Sequence, residues 1–339
     1  MLEYLPWSIS TSEHAIGLYN EGIFSILDFE LGGCCNLNCL YCDSPERAIK
    51  INFDINLIQK LLSEKKFKWL FVCGIGEPTA GDNYDAFIKL LESCEKYGVK
   101  CSAFSNIFLF NDDIVHFINN DILYLKFKLD SFETNNIKYL YGTEKSNIIL
   151  KNIERITDVV KSNSLHTNIA ASIVPTKVNY NEIEELFSFC LQSNIYPLIG
   201  HLEYSGRAIE MHRKLALSVD EHESMYRMIR EKFGIDYSLP VCPAVVSGVR
   251  IDSDGYIILD KDTGLTCDWL WLRTPSTKKI GHINQYVSSI DIFNDILDYR
   301  KEKIGTVKSL LENNNLPTGG CGGNAKDVLS YYIRNSGYY

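Results

Sequence analysis

From about residue 24 to residue 204 the chain repeats one pattern, a short apolar run followed by an amphipathic segment. The apolar runs at 24–31, 68–73, 101–105, 122–129, 168–174 and 196–201 read as strands. The segments at 54–64, 83–97, 112–119, 146–161 and 181–193 read as helices. Asp54, Asp112 and Asn181 stand where helix N-caps stand, and Gly98 where a helix stops. A strand that feeds a helix and then a second strand in the same direction makes a parallel βα unit. The six predicted strands imply an α/β fold, a partial (β/α)6 barrel of the TIM type rather than a closed eight-stranded one. Ligands of such sheets bind on the loops at the carboxyl ends of the strands.

After about Ser205 the alternation stops. Residues 208–233 read as a helical connector, 249–259 as an apolar hairpin turning at Asp254-Gly255, and 290–303 as a helix. The chain therefore divides into a core at 1–204, with an N-terminal extension at 1–23, and a small α+β module at 205–339. No internal repeat goes beyond the βα alternation, and the run 313–315 is a solvated loop.

Composition bounds the class. A chain of 339 residues with 45% hydrophobic and 23% charged content can build a large core. A formal charge of −9 argues against nucleic acid, which recruits Lys and Arg to displace counterions. No apolar run approaches the roughly 20 residues of a membrane span, and the start lacks the basic and apolar regions of a secretion signal. The expectation is a cytoplasmic protein. There, its 11 cysteines stay reduced and serve as metal ligands or buried thiols.

Cys35, Cys39 and Cys42 form a C-x3-C-x2-C trio directly after the first predicted strand, where chemistry is expected. Iron–sulfur clusters of four irons usually take four cysteines. A tight trio with no fourth cysteine at the same spacing suggests one iron left open for a ligand. Cys34 breaks the spacing and points away from its neighbour, so it reads as a packed thiol. Cys73, Cys94, Cys101 and Cys190 fall in predicted strands and helices and read as core residues. The second strand ends in Cys73-Gly74-Ile75-Gly76-Glu77-Pro78, whose glycines let a backbone approach a ligand closely. An ordinary βα turn explains that segment equally well.

Taken together, the trio, the aromatic Tyr41 before its last cysteine, the Gly76-Glu77 turn and the order of βα units resemble the radical S-adenosylmethionine (SAM) enzymes. The likeness spans residues 24–204; the family's Gly-Gly-Glu motif is matched only as Ile75-Gly76-Glu77. The resemblance implies that Cys35, Cys39 and Cys42 ligate a [4Fe-4S] cluster whose open iron is chelated by SAM. It places Tyr41 near the adenine, and Gly76 and Glu77 at the methionine ammonium. It also puts polar SAM contacts at Ser105, Asn106, Asp130 and Ser131, with Asn181 and Glu184 near the adenine motif of the fifth strand. The implied reaction is reductive cleavage of SAM to a 5′-deoxyadenosyl radical that abstracts a substrate hydrogen. A reductant such as flavodoxin or ferredoxin is implied as partner.

Cys242, Cys267 and Cys321 lie in loop-like settings around the hairpin, a layout similar to the auxiliary-cluster modules called SPASM and twitch domains. Eleven residues separate Gly255 from Cys267 where that family has four, and three cysteines stand where a full SPASM module has seven. The resemblance implies at most one auxiliary [4Fe-4S] cluster, with Asp268 or His282 as candidate fourth ligands or with an open iron that binds substrate. A module without a cluster, holding three packed or zinc-bound thiols, is the alternative. His201, Glu203 and Arg207 follow the sixth strand and could orient a substrate or the SAM carboxylate; a Glu203–Arg207 ion pair would explain two of them equally. His116, His166, His212 and His222 carry no signal.

Enzymes with related modules modify peptides or proteins by cross-linking or oxidation, which is the leading expectation. With 34 residues ahead of Cys35, no N-terminal peptide-recognition domain is expected. Oxidation or cyclisation of a sugar- or nucleoside-type metabolite is the alternative, and a metal-binding scaffold without turnover is the reading from another class.

Overall fold

The computed structural model describes residues 17, 20–24, 26–42, 50–72, 76–162, 168–200, 202, 206–235, 248–261, 264, 277–303 and 305. Strands β1 (Ile26–Phe29), β2 (Trp69–Val72), β3 (Lys100–Ser105), β4 (Leu123–Lys128), β5 (Ile169–Ile173) and β6 (Tyr196–Ile199) pair parallel in chain order. Helices α1 (Asn56–Ser63), α2 (Asp82–Tyr97), α3 (Asp112–Asn119), α4 (Thr134–Tyr141), α5 (Ser146–Ser162) and α6 (Ile183–Gln192) make the crossovers. The chain is thus a mixed α/β fold on a parallel sheet.

Side-chain periodicity explains why these elements pack. On α5 the buried apolar residues are Ile149, Ile153, Ile156 and Val160, one stripe of a 3.6-residue period. Burial of each is worth about 1.5–3 kcal/mol, so docking holds this helix more than its intrinsic propensity does. Along β4, Leu123, Leu125 and Phe127 are buried in the main core, while Tyr124, Lys126 and Lys128 occupy the other face. That alternation delivers Lys128 to the carboxyl end of the strand.

The stretch beyond residue 205 joins the same sheet. β7 (Gly248–Ile251) pairs parallel with β1, and β8 (Tyr256–Asp260) and β9 (Thr277–His282) follow antiparallel, giving nine strands in the order β6-β5-β4-β3-β2-β1-β7-β8-β9. β1 is therefore an interior strand, and its Asp28 is fully buried. Arg250 lies beside it in register; its Nη1 donates to Asp28 Oδ2 at 2.6 Å and its Nη2 to Glu30 Oε1 at 2.6 Å. Removing one partner of a buried pair leaves an uncompensated charge, a loss of about 3–5 kcal/mol. This bidentate tie fixes the hairpin's register on the core.

Helix boundaries differ from the sequence expectations in instructive ways. Asn111, not Asp112, caps α3 by accepting from the Ile114 amide at 3.2 Å. The expected connector is two helices, α7 (Ala208–Leu215) and α8 (Val219–Phe233), because Ser218 and Glu221 form a capping box that starts a new helix. Near Asn181 a 3-10 turn at Tyr180–Glu182 precedes α6, and α4 arises where no helix was expected. Gly98 does stop α2, in a left-handed cap. At the C-terminal side α9 (Ser289–Lys301) docks by stacking Phe293 on Phe24 at 4.7 Å, while Ser289 N donates to Glu64 Oε2 at 2.9 Å. Among the described residues no helix is long and apolar enough to cross a membrane.

His222 on α8 is buried, with no partner for Nδ1 among the described residues. Burial pushes its pKa down to about 4, with Glu221 opposing and His212 reinforcing. The ordinary value is near 6.5, so between these limits only the unfolded chain binds the proton. The stability this neutral histidine contributes is complete above about pH 6.5 and is lost as pH falls toward 4, at most about 3 kcal/mol. Urea unfolding at pH 7 and pH 4.5 should show His222→Phe losing about 2–3 kcal/mol less than the wild type on acidification; parallel losses would contradict this.

Candidate functional site

The cysteine trio sits on the loop 30–42 that leaves the carboxyl end of β1. This loop has no regular ladder of its own, so its backbone groups are met by neighbouring segments. Glu77 N donates to Cys34 O at 2.7 Å, and the Asn83 carboxamide on α2 donates to Gly32 O, Cys34 O and Glu77 O at 3.1, 3.3 and 3.0 Å. From the end of α4, Tyr141 O and Leu140 O each accept at 2.9 Å, from Asn38 N and Leu40 N respectively. From the start of α7, Arg207 N donates to Cys42 O at 3.0 Å.

Two of these contacts need glycine. Gly76 has φ +80°, and a Cβ there would lie 1.8 Å from Gly32 O and 2.8 Å from Cys34 O. Gly142 has φ +59°, and a Cβ would lie 2.3 Å from Asn38 O. The loop lies so close to its neighbours that neither place admits a side chain.

Cys35, Cys39 and Cys42 are in no disulfide and are partly exposed. Cys35 Sγ is approached by the Leu37 amide at 3.5 Å and by Asn106 Nδ2 at 3.7 Å, while Lys128 Nζ stands 3.6 Å from Cys39 Sγ. Burial pushes the Cys39 thiol up, with Lys128 pulling the other way. Cys34 is as partly exposed as the trio, and its Sγ lies 2.7 Å from where a Cβ on Gly81 would stand, on the α2 side. Cys94, Cys101 and Cys190 are buried in the core.

Glu77 is buried and its carboxylate is engaged on every side. Oε1 accepts from Thr79 N, Thr79 Oγ1 and Ser105 Oγ at 3.1, 2.7 and 2.7 Å, and Oε2 accepts from Asn106 N at 2.6 Å. Burial raises its pKa against these donors. The sequence reading had this carboxylate face a ligand ammonium; in the structure it clamps the loop after β2 to the loop after β3. A ligand ammonium at Glu77 would share or displace those donors. Asn106 also donates to Asn36 Oδ1 at 2.7 Å, tying the third strand's loop back to the cysteine loop.

Asp130, after β4, is the second buried carboxylate. Tyr41 Oη donates to Oδ2, and Val174 N donates to Oδ1 at 2.7 Å. Lys128 Nζ lies 3.9 Å from Oδ2, 4.1 Å from the Tyr41 ring centroid and 4.9 Å from that of Tyr141. Burial raises the Asp130 pKa, with Lys128 and Tyr41 pulling it down. For Lys128, burial works to lower the pKa, but Cys39 and Asp130 outweigh it and the net shift is upward. We take the ion-paired form, because both ends of the contact are met by matching groups. Tyr41 is thus held by a carboxylate on one side and a cation over its ring.

Lys128 was missed in the sequence because it ends a strand in which apolar residues alternate with Tyr124 and Lys126, so a lysine there gives no local signal. Ser131 Oγ donates to Glu182 Oε2 at 2.6 Å, and Glu182 also accepts from Phe132 N and Asn136 Nδ2 at 3.1 and 2.7 Å. The residue of the 180–184 segment that reaches the site is therefore Glu182. Asn181 is exposed, and Glu184 pairs on the surface with Lys232 at 2.6 Å.

His282 does not face this site. Its Nδ1 accepts from Asn284 N at 3.2 Å, which leaves the proton on Nε2 to donate to Asp254 O at 2.9 Å, so it fastens the β7–β8 turn. His116 sits on the surface beside Glu95 at 3.5 Å. Cys73, Cys242, Cys267, Cys321, Asp268, His166, His201 and Glu203 lie outside the described residues. Among the described residues no three His, Cys, Asp or Glu side chains are grouped to hold a metal ion. The donor chemistry of the trio nevertheless fits a thiolate-held cluster. N–H groups of Leu37, Asn106 and Lys128 already point at two of its sulfurs, as outer-shell donors to ligating sulfur do.

No protein-family profile matches the chain. An uncharacterized protein of Methanocaldococcus jannaschii is 26% identical over 181 residues, 51% of this chain and 57% of that protein. The chain thus spans little more than half the length of that relative. Among solved structures, Streptococcus suis SuiB bound to S-adenosylmethionine superposes with a TM-score of 0.56 at 18% identity, over 87% of this chain and 70% of that one. The anSMEcpe structure with bound AdoMet and Cp18Cys peptide gives 0.56 at 15% identity, over 84% and 83%. At these identities what is shared is the fold.

Gly76→Ala should break the close approach of the two loops. The backbone conformation and the clash together cost about 2–3 kcal/mol, read as a lowered urea midpoint. Iron uptake on anaerobic reconstitution should fall as well. Unchanged stability and iron content would show that the loop is not held this way.

Proposed function

We propose that this chain is a radical SAM enzyme. Cys35, Cys39 and Cys42 would hold a [4Fe-4S] cluster, leaving one iron for the amino and carboxylate groups of SAM. The observation that carries the reading is the stitched cysteine loop. Three cysteines at C-x3-C-x2-C spacing, none of them in a disulfide, stand on a loop fixed by the turn at Gly76-Glu77, by Asn83 and by the end of α4. A scaffold with no ligand to position has no use for polar side chains converging at the carboxyl ends of β2, β3 and β4.

When bound and reduced, the cluster held by Cys35, Cys39 and Cys42 would supply the one electron that cleaves the sulfur–carbon bond of SAM, which would yield methionine and a 5′-deoxyadenosyl radical able to take a hydrogen from the substrate. The protein's part is binding, orientation and exclusion of side reactions. Lys128 would neutralise negative charge at the Cys39 ligand, the donor nearest that sulfur. Tyr41, locked by Asp130 and Lys128, would present a fixed ring beside the last ligand, against which an adenine can pack. Glu77, Ser105 and Asn106 form one hydrogen-bonded unit, so a ligand ammonium reaching Glu77 would meet a pre-set acceptor. Asp130 and Ser131 with Glu182 would shape the ribose side.

For the substrate we favour a peptide or protein, modified by cross-linking or oxidation. What supports this is the fold shared with SuiB, also solved bound to precursor peptide SuiA at a TM-score of 0.53, and with anSMEcpe solved with a peptide. Flavodoxin or ferredoxin would supply the electron. Cys242, Cys267 and Cys321 would ligate one auxiliary cluster in a SPASM- or twitch-like module.

Two experiments test this. Anaerobically reconstituted wild type given dithionite and SAM should release 5′-deoxyadenosine, and the Cys35/Cys39/Cys42→Ala variant should not; an intact cluster with no SAM cleavage would end the enzyme reading. In that triple variant about four irons should remain if the auxiliary cluster exists, and none would remove it. Lys128→Met should lower the cluster's midpoint potential on the order of 59 mV, the one-electron equivalent of a tenfold shift. An unchanged potential would assign Lys128 to packing.

A further inference from the structure

Arg207 opens the turn into α7 and is fastened to the cysteine loop twice. Its backbone N–H donates to Cys42 O at 3.0 Å, and its Nη1 donates to Asn38 Oδ1. Its Nε and Nη2 are buried and meet no hydrogen-bond partner among the described residues. These two nitrogens are not independent. In the planar guanidinium, Nε–H and one Nη2–H lie along the same edge and point the same way. The structure therefore buries one complete two-pronged donor edge and leaves it empty-handed, while the opposite side of the group is spent on Asn38.

Buried charged donors left unpaired carry their full desolvation penalty, and native folds rarely keep them so unless something else arrives. A carboxylate matches this edge, because its two oxygens accept two parallel N–H bonds in one plane. A phosphate brings more oxygens and more charge than one edge can satisfy, and the loop offers no second open donor of this kind among the described residues. The backbone contact to Cys42 puts the edge beside the last cysteine of the trio. We propose that Arg207 is the receptor for a ligand carboxylate at the cysteine loop. It reads that group through its Nε–Nη2 edge, while Nη1 and the backbone hold the arginine still.

The carboxylate has two sources, the methionyl group of SAM or an acidic group or chain end of the substrate. For the first source the inference rests on the proposed function and deepens it. Equilibrium dialysis would measure SAM and decarboxylated SAM on anaerobically reconstituted wild type, Arg207→Gln and Arg207→Lys, each normalised to bound iron. Saturation-transfer NMR on the same three proteins would use N-acetylglycine, a carboxylate on a peptide-like stem. If SAM is the source, wild type prefers SAM over its decarboxylated analogue about 10–100-fold. Arg207→Gln then loses that preference, and Arg207→Lys, with charge but no fork, keeps only part of it.

If the substrate is the source, SAM discrimination is the same in all three proteins, and the N-acetylglycine signal of wild type disappears in Arg207→Gln. The same discrimination and the same N-acetylglycine signal in all three would overturn the proposal. Arg207→Lys retains a cation for Asn38, so it keeps the comparison decidable if Arg207→Gln loses its fold or its iron. Should wild type bind no SAM at all, the radical SAM reading fails, while the N-acetylglycine contrast still decides the role of Arg207.

Discussion

The Asn83 carboxamide is the contact on which the site depends. It reaches three carbonyl oxygens, two on the cysteine loop and one on the turn after β2, and so joins the two segments that would face a ligand from opposite sides. Without a ladder of its own, the loop 30–42 takes its shape from such borrowed bonds. Because Asn83 is on the first turn of α2, the helix carries the site's geometry directly to the core that α2 packs against. Gly76 permits the approach, and Glu77 extends it to Ser105 and Asn106 on the next loop. Rigid strands and helices thus set the positions of side chains that stand on irregular backbone.

Charge is arranged with equal economy. Three buried carboxylates each have their own answer: Glu77 is met by neutral donors, Asp130 by Tyr41 and Lys128, and Asp28 by Arg250. The last of these also binds β7 to β1, so the same ion pair that neutralises a core charge attaches the C-terminal hairpin. Arg207 is the exception, a buried donor edge without an acceptor among the described residues, beside the loop where a ligand is expected.

Much of this was legible in the sequence, for physical reasons. The parallel α/β sheet follows from alternating apolar and amphipathic segments, and the strands appear in the expected order. The structure brings Tyr41, Ser105, Asn106, Asp130 and the trio to one end of that sheet, as a motif written on consecutive βα loops would. What could not be read depends on distance in the chain. Arg250 looks like one polar residue in an apolar hairpin until β7 pairs with β1, and 222 positions separate it from Asp28. Lys128 and Asn83 sit inside a strand and a helix, where a polar residue gives no local signal of facing a site. The Ser218/Glu221 capping box was the readable signal that was passed over, and with it the break between α7 and α8. Glu182 rather than Glu184 reaches Ser131, because a 3-10 turn precedes α6 and resets which side chain faces inward.

The central claim is that three thiolates leave one iron open and that SAM binds it through its amino and carboxylate groups. The most direct measurement is electron–nuclear double resonance on the reduced protein with SAM labelled with nitrogen-15 at the amino group and oxygen-17 at the carboxylate. The account predicts resolved hyperfine coupling of both labels to the cluster, abolished when Cys35, Cys39 and Cys42 are replaced. A reduced cluster that binds SAM without coupling to either label would contradict it.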